Sequence, residues 1–121
     1  MKKIIDLHVH SCISDGTLSP EELVSLAIKS NISAVALTDH DSVEGVKIFS
    51  KEAIENNLDF LTGIEISCKY KDNRILHILG LGMDIDNRNF SNPYKRMKEA
   101  RKNGLESVLR FIKSKTNEKL Y

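Results

Sequence analysis

Asp6-Leu7-His8-Val9-His10, led in by the apolar pair Ile4-Ile5, decides how the rest of the chain is read. The run predicts a strand over residues 3–9. On a strand, residues two apart project from the same face, so His8 and His10 present their rings side by side. Two adjacent imidazoles at a strand end are able to hold one divalent metal if carboxylates elsewhere complete its shell. The same pair is also consistent with two unrelated histidines near a strand end, and the remainder of the chain has to decide.

Outward from this strand, residues 11–17 are hydroxyl and turn residues. Ser19-Pro20-Glu21-Glu22 then predicts a helix start: Ser19 as N-cap, Pro20 in the first turn, acids at the positive end of the dipole, and Glu22 at capping-box spacing. Leu23, Leu26, Ala27 and Ser30 follow at helical spacing, with Asn31 as a left-handed cap. Residues 33–37, Ser-Ala-Val-Ala-Leu, are a short apolar run that reads as a buried parallel strand, with Thr38-Asp39-His40-Asp41 at its carboxyl end. A second helix is expected over residues 43–57 with Ser42 as N-cap. A third strand is expected over 59–62, ending at Gly63. Residues 64–70 alternate with period two, 71–74 form a turn, and 75–81 return as a strand, the pattern of a hairpin. Strand, helix, strand, helix, strand implies parallel βαβ units, whose sites lie at the carboxyl ends of the strands. Beyond Asp86 the character changes. Residues 87–92 read as a polar loop, Pro93 opens a new element, and 94–115 predict a long basic amphipathic helix with Leu105, Val108, Leu109 and Ile112 on its apolar face. The organisation expected is thus a segment over 1–86 and a helical segment over 87–121. Residues 113–121 carry no signal for the end of a finished domain.

Composition narrows the class. In 121 residues, 40% are hydrophobic and 29% charged, which fits a folded domain rather than a disordered chain. A net charge of +1 gives no general argument for a polyanion surface. Cys12 and Cys68 are far apart, which is not a disulfide framework and suits a reducing cytoplasm. Cys12, a lone thiol among hard oxygen ligands, reads as a small packing residue. No signal-peptide pattern and no membrane-length apolar stretch is found, so no membrane partner is expected.

Taken singly, each polar residue has an ordinary explanation. Asp15 before Gly16 is a turn residue, Asp39 and Asp41 are helix caps, His40 and His77 are hydrogen-bonded core histidines, and Arg96 and Arg101 belong to a solvated face. Together they point elsewhere. All four histidines fall at strand ends or on a strand beside them, accompanied by Asp15, Asp39 and Glu65. Mixed imidazole and carboxylate donors suit Zn²⁺, Mn²⁺ or Fe²⁺, and two or three such ions held close together are the usual apparatus of phosphoester hydrolysis.

The segments D-L-H-V-H-S (6–11), S-D-G (14–16), L-S-P-E-E-L (18–23), A-L-T-D-H-D (36–41), G-I-E-I-S (63–67) and H-I-L-G-L (77–81) closely resemble the N-terminal part of the PHP family, the polymerase and histidinol phosphatase superfamily. The resemblance covers about residues 3–86. It implies the N-terminal part of a distorted seven-stranded (βα) barrel, an α/β fold, and a site for two to three divalent ions. It assigns His8, His10 and Glu65 to one ion, Glu65 and His77 to a second, and Asp15 and His40 to a third. Asp6 and Asp39 would orient the imidazoles, and a metal-bound hydroxide would be the nucleophile. The 77–86 region looks most like stand-alone enzymes acting on nucleotide phosphoesters and RNA 5′ ends. The basic helix resembles the start of their helical insertion, with Arg96 and Arg101 as phosphate contacts.

The departure from the family is equally informative. No histidine follows His77, and the family's later ligand segments have no counterpart. The chain therefore reads as an N-terminal piece of a phosphoesterase, inactive alone if the later ligands are essential. An open barrel edge would then expose apolar strand surface and favour self-association. The alternatives are a histidinol-phosphatase-like enzyme and a non-catalytic metal-binding module.

Overall fold

The computed structural model describes residues 3–116. Its elements are β1 (Ile4–Val9), α1 (Pro20–Lys29), β2 (Ile32–Leu37), α2 (Val46–Glu55), β3 (Asp59–Lys69), a single 3₁₀ turn (Lys71–Asn73), β4 (Ile75–Leu81) and α3 (Arg88–Thr116). The four strands form one sheet in the order β1-β2-β3-β4. β1, β2 and β3 are parallel, and β4 returns antiparallel to β3. The chain divides into two units, residues 1–85 and 86–121.

α1 starts where the sequence signals it. Ser19 accepts the Glu22 N–H at 3.2 Å and Glu22 Oε2 accepts the Ser19 N–H at 2.8 Å, closing the capping box. Asn31, just past the helix, sits at φ 55°, a left-handed position that asparagine tolerates. The buried face of α1 is Pro20, Leu23, Val24 and Ala27, whereas Leu26 is half exposed. That face packs on β2 and α2, joining Val35, Leu37, Phe49, Ala53 and Leu58 in one core. Val35 and Leu37 point into this core, and Ala36 between them faces the opposite side of the sheet.

Three elements differ from the sequence expectation. β3 does not end at Gly63; it runs on for 11 residues. Its first part, 59–62, pairs with β2, and its second, 63–69, pairs with β4. Gly63 is a close-approach glycine rather than a turn: a Cβ there would lie 2.6 Å from the Leu37 carbonyl oxygen and 2.7 Å from Thr38 Cγ2. α2 begins at Val46 with Gly45 at its N-cap and no side-chain cap, and the Ser42 hydroxyl instead accepts the Glu44 N–H within the preceding turn. α3 begins at Arg88, so Pro93 lies inside it rather than opening it. Asn87 starts the helix, its side-chain oxygen taking the Asn89 N–H and its carbonyl the N–H groups of Phe90 and Ser91. In α3 no side chain is buried among the described residues, and the expected apolar face (Leu105, Val108, Leu109, Ile112) is exposed. Of the segment 113–121, residues 117–121 lie outside the described residues. Cys12, expected to pack, is exposed. Both edge strands carry exposed apolar side chains, Ile4 and Ile5 on β1 and Ile75, Leu76, Ile78, Leu79 and Leu81 on β4.

Gly63→Ala should lower stability by about 1–3 kcal/mol, because the β2 main chain has no room to move away from the added methyl. Urea unfolding of the variant against wild type measures this, and an unchanged midpoint would contradict the close approach.

Candidate metal centre

β1, β2 and β3 are parallel, so their carboxyl ends lie together, and the histidines and carboxylates of the N-terminal unit gather there. His8 is in β1 and His10 follows it; their ring centroids are 5.1 Å apart, on the same face as the alternation requires. The chain then folds back on itself. A Cβ on Gly16 would lie 2.4 Å from the His10 carbonyl oxygen, so only glycine permits the turn that returns Asp15 to His10. Asp15 Oδ1 accepts the His10 Nδ1–H at 2.7 Å, and Asp15 Oδ2 lies 3.6 Å from His40 Nε2. His40 follows β2 and forms an isolated parallel bridge with Glu65. His77 reaches Glu65 from β4, diagonally across the hairpin: Glu65 stands opposite Leu79, and Ser67 opposite His77.

Glu65 is the convergence point. Its side chain is only 7% exposed. Oε2 lies 3.1 Å from His8 Nε2, 3.0 Å from His10 Nε2 and 3.4 Å from His40 Nδ1, and Oε1 lies 3.3 Å from His77 Nδ1. One carboxylate therefore meets all four imidazoles of the chain. Ligand-type atoms fall into three groups, each within 4.8 Å: His8, His10 and Glu65; His10, Asp15 and His40; His40, Glu65 and His77. Compared with the grouping implied by family resemblance, His10 joins Asp15 and His40, and His40 joins Glu65 and His77.

The donor set fits a divalent ion. Asp15 takes the Nδ1–H of His10, which leaves Nε2 as the lone-pair nitrogen. Among the described residues that buried atom has no hydrogen-bond partner, yet it faces a carboxylate oxygen. Two lone pairs directed at the same space are satisfied by a cation between them.

Burial is the largest single influence on the Glu65 carboxyl and pushes it up. The His8 hydrogen bond and the charges of His40, His8 and His10 together outweigh it, so the group is held below the ordinary glutamate value. Asp15 is held below the ordinary aspartate value, first by its hydrogen bond with His10; desolvation, the next largest influence, opposes this, and the His10 charge, Ser14 hydroxyl and His40 charge reinforce the lowering.

The two aspartates expected to orient imidazoles bond elsewhere. Asp6 is exposed, and its carboxylate accepts the main-chain N–H of His8 at 3.2 Å. Asp39 is buried, and its carboxylate takes the Ser11 N–H, the Ser11 hydroxyl and the Ser14 hydroxyl, each at 2.7 Å. It orders the turn that carries Asp15 rather than a ring. Ser11 and Ser14, read from the sequence only as turn residues, are thus the partners through which β2 fixes that turn. Arg96 and Arg101 lie exposed on α3, in the second unit.

The PHP domain model matches residues 6–121. This chain belongs to the PHP domain family. It is 43% identical over 84 residues to a 5′-3′ exoribonuclease of Haemophilus influenzae, covering 69% of this chain and 30% of that protein. It is 40% identical over 80 residues to a 3′,5′-nucleoside bisphosphate phosphatase of Chromobacterium violaceum, covering 66% and 28% respectively. The chain thus spans under a third of the length of these relatives. A solved structure from Bifidobacterium adolescentis, assigned by inference as a metal-dependent phosphoesterase, is similar with a TM-score of 0.83 at 28% identity, over 95% of this chain and 40% of that one. The sheet and its helices are accordingly the α/β N-terminal part of a PHP barrel. No helix among the described residues is long and apolar enough to cross a membrane.

Two outcomes follow for the metal-free PHP segment. Asp39→Ala should cost about 2–4 kcal/mol, since it strands a buried N–H and two hydroxyls; equal urea midpoints for variant and wild type would show that the turn does not depend on Asp39. The second concerns acid. Because Glu65 and Asp15 titrate lower in the folded chain, their contribution is present above the unfolded carboxylate values and is lost as the pH falls through the folded ones. Melting temperature should drop as the pH falls below about 5, and less steeply in Glu65→Gln. Parallel curves would contradict the Glu65 shift.

Proposed function

We propose that this chain is the N-terminal portion of a PHP-type phosphoesterase whose site binds two to three divalent ions. What carries the reading is the convergence of all four imidazoles on the Glu65 carboxylate, beside a buried His10 nitrogen that no proton donor satisfies. His8, His10 and Glu65 hold one ion, His40, Glu65 and His77 a second, and His10, Asp15 and His40 a third. Zn²⁺, Mn²⁺ and Fe²⁺ suit these nitrogen and oxygen donors. When bound, such ions supply positive charge to a phosphoryl group and lower the pKa of water enough for hydrolysis near neutral pH. The protein's own part is to hold the ligands rigidly: Asp39 fixes the Asp15 turn, and the β3–β4 pairing fixes Glu65 against His77.

The substrate class we propose is a nucleotide phosphoester or an RNA 5′ end. The names of the Haemophilus influenzae and Chromobacterium violaceum relatives support it over a histidinol-phosphatase-like reaction. The setting is the cytoplasm, in keeping with two unpaired cysteines. The exposed apolar side chains of β1 and β4 offer a surface for self-association. The three ligand groups by themselves also serve a second reading, a non-catalytic metal-binding module.

Elemental analysis of the purified chain tests the site, and hydrolysis of a 3′,5′-nucleoside bisphosphate and a 5′-phosphorylated oligoribonucleotide tests the activity. Wild type should retain about one or more ions per chain. Glu65→Ala should lose more metal than His77→Ala, because Glu65 stands in two of the three groups. Equal metal in both variants would overturn the ligand assignment, and none in wild type would overturn the metal reading. Metal retained without hydrolysis of either substrate would select the non-catalytic module.

A further inference from the structure

We infer that Asp41 is the positioning residue that sets His40, Glu65 and His77 in register with one another. The inference rests on the main-chain pattern beyond the end of β2. Glu65 donates its N–H to the Asp39 carbonyl at 3.2 Å, and Asp41 donates its N–H to the Glu65 carbonyl at 2.8 Å. These are two successive rungs of a parallel ladder, centred on the His40–Glu65 bridge. The next rung would run from the Ser67 N–H to the Asp41 carbonyl. It does not form that way. Asp41 adopts φ 49°, a left-handed conformation that carries the chain off the sheet toward α2. Its side chain takes the rung instead: Asp41 Oδ1 accepts the Ser67 N–H at 2.7 Å.

A carboxylate has thereby replaced a peptide carbonyl, which makes the last rung charge-assisted just where the strand must leave. Each neighbour of that rung bears on the site. His40 immediately precedes Asp41. The Glu65 carbonyl is bonded to the Asp41 N–H. Ser67 stands directly opposite His77 in the hairpin. Asp41 itself belongs to none of the three ligand groups. It therefore acts through the ligands rather than on an ion. An aspartate suits the position because it tolerates the left-handed φ better than most residues and brings its own acceptor.

Asp41→Gly keeps the backbone conformation and removes the acceptor; Asp41→Asn keeps both. The test uses the full 121-residue chain without metal and reads two NMR quantities, the exchange protection of the Ser67 amide and the ring signals of the four histidines. In Asp41→Gly, Ser67 protection should fall about tenfold or more, and the His40 and His77 signals should move. Asp41→Asn should restore all of them. Zinc titration of the same samples should show affinity weakened about tenfold in Asp41→Gly and recovered in Asp41→Asn. Unmoved His40 and His77 rings with unchanged zinc affinity, even in a variant that melts lower, would overturn the inference and leave Asp41 a plain structural tie. A wild type that binds no zinc would refute the metal assignment instead, and the ring signals would still decide the role of Asp41. Should Asp41→Gly not fold, Asp41→Asn carries the test: a displaced His40 signal while the Ser67 amide stays protected would overturn it.

Discussion

One carboxylate must meet four imidazoles, and the N-terminal unit is built around that requirement. Glu65 can do so only from a strand that has β2 on one side and β4 on the other, since His40 arrives at the end of β2 and His77 arrives on β4. This is why β3 is long. Its first residues complete the parallel sheet, and its later ones open an antiparallel hairpin without a break in the strand. Glu65 stands just past the change, where both neighbours are within reach.

Close approach of main chains makes the geometry possible. Gly63 lets β3 lie against Leu37 and Thr38, and Gly16 lets the turn after β1 fold onto the His10 carbonyl. Neither glycine is a ligand, yet the position of two carboxylates, Glu65 and Asp15, depends on them. The same holds for Asp39, whose buried carboxylate ties the β1 turn to the end of β2 through Ser11 and Ser14. Polar burial of this kind is stable only when each partner is satisfied, and here the three donors and the two carboxylate oxygens account for one another.

Much of this was legible in the sequence because the signals are local. The Ser19–Glu22 capping box, the apolar run of β2 and the His8/His10 alternation each depend on residues a few positions apart, and all appear as read. The gathering of His8, His10, Asp15, His40, Glu65 and His77 also follows from strand ends once the strands are placed. What the sequence hid depends on distant residues. Gly63 looks like punctuation until Leu37 is known to lie beside it. Asp39 looks like a helix cap until Ser11 is known to be its partner, 28 positions earlier. Asp41 likewise resembles a cap, and its bond to Ser67 spans 26 positions. Pro93 misled for another reason: proline marks a first turn by habit, but α3 gains its start from Asn87.

The arrangement also links metal binding to folding. Converging four rings on one buried carboxylate crowds nitrogen and oxygen atoms whose hydrogen-bonding needs they cannot all meet among themselves, and the unpartnered His10 Nε2 is the visible remainder. A cation among these groups would answer that need. With one, the same atoms gain a common partner, and the gain belongs to the folded chain alone because the ligands come from four separate strand regions. Sequence separation is the reason: His8 and His77 both reach Glu65 only after β1, β2, β3 and β4 are in place, so an ion held among these groups would stabilise the order of the whole sheet rather than one turn of it.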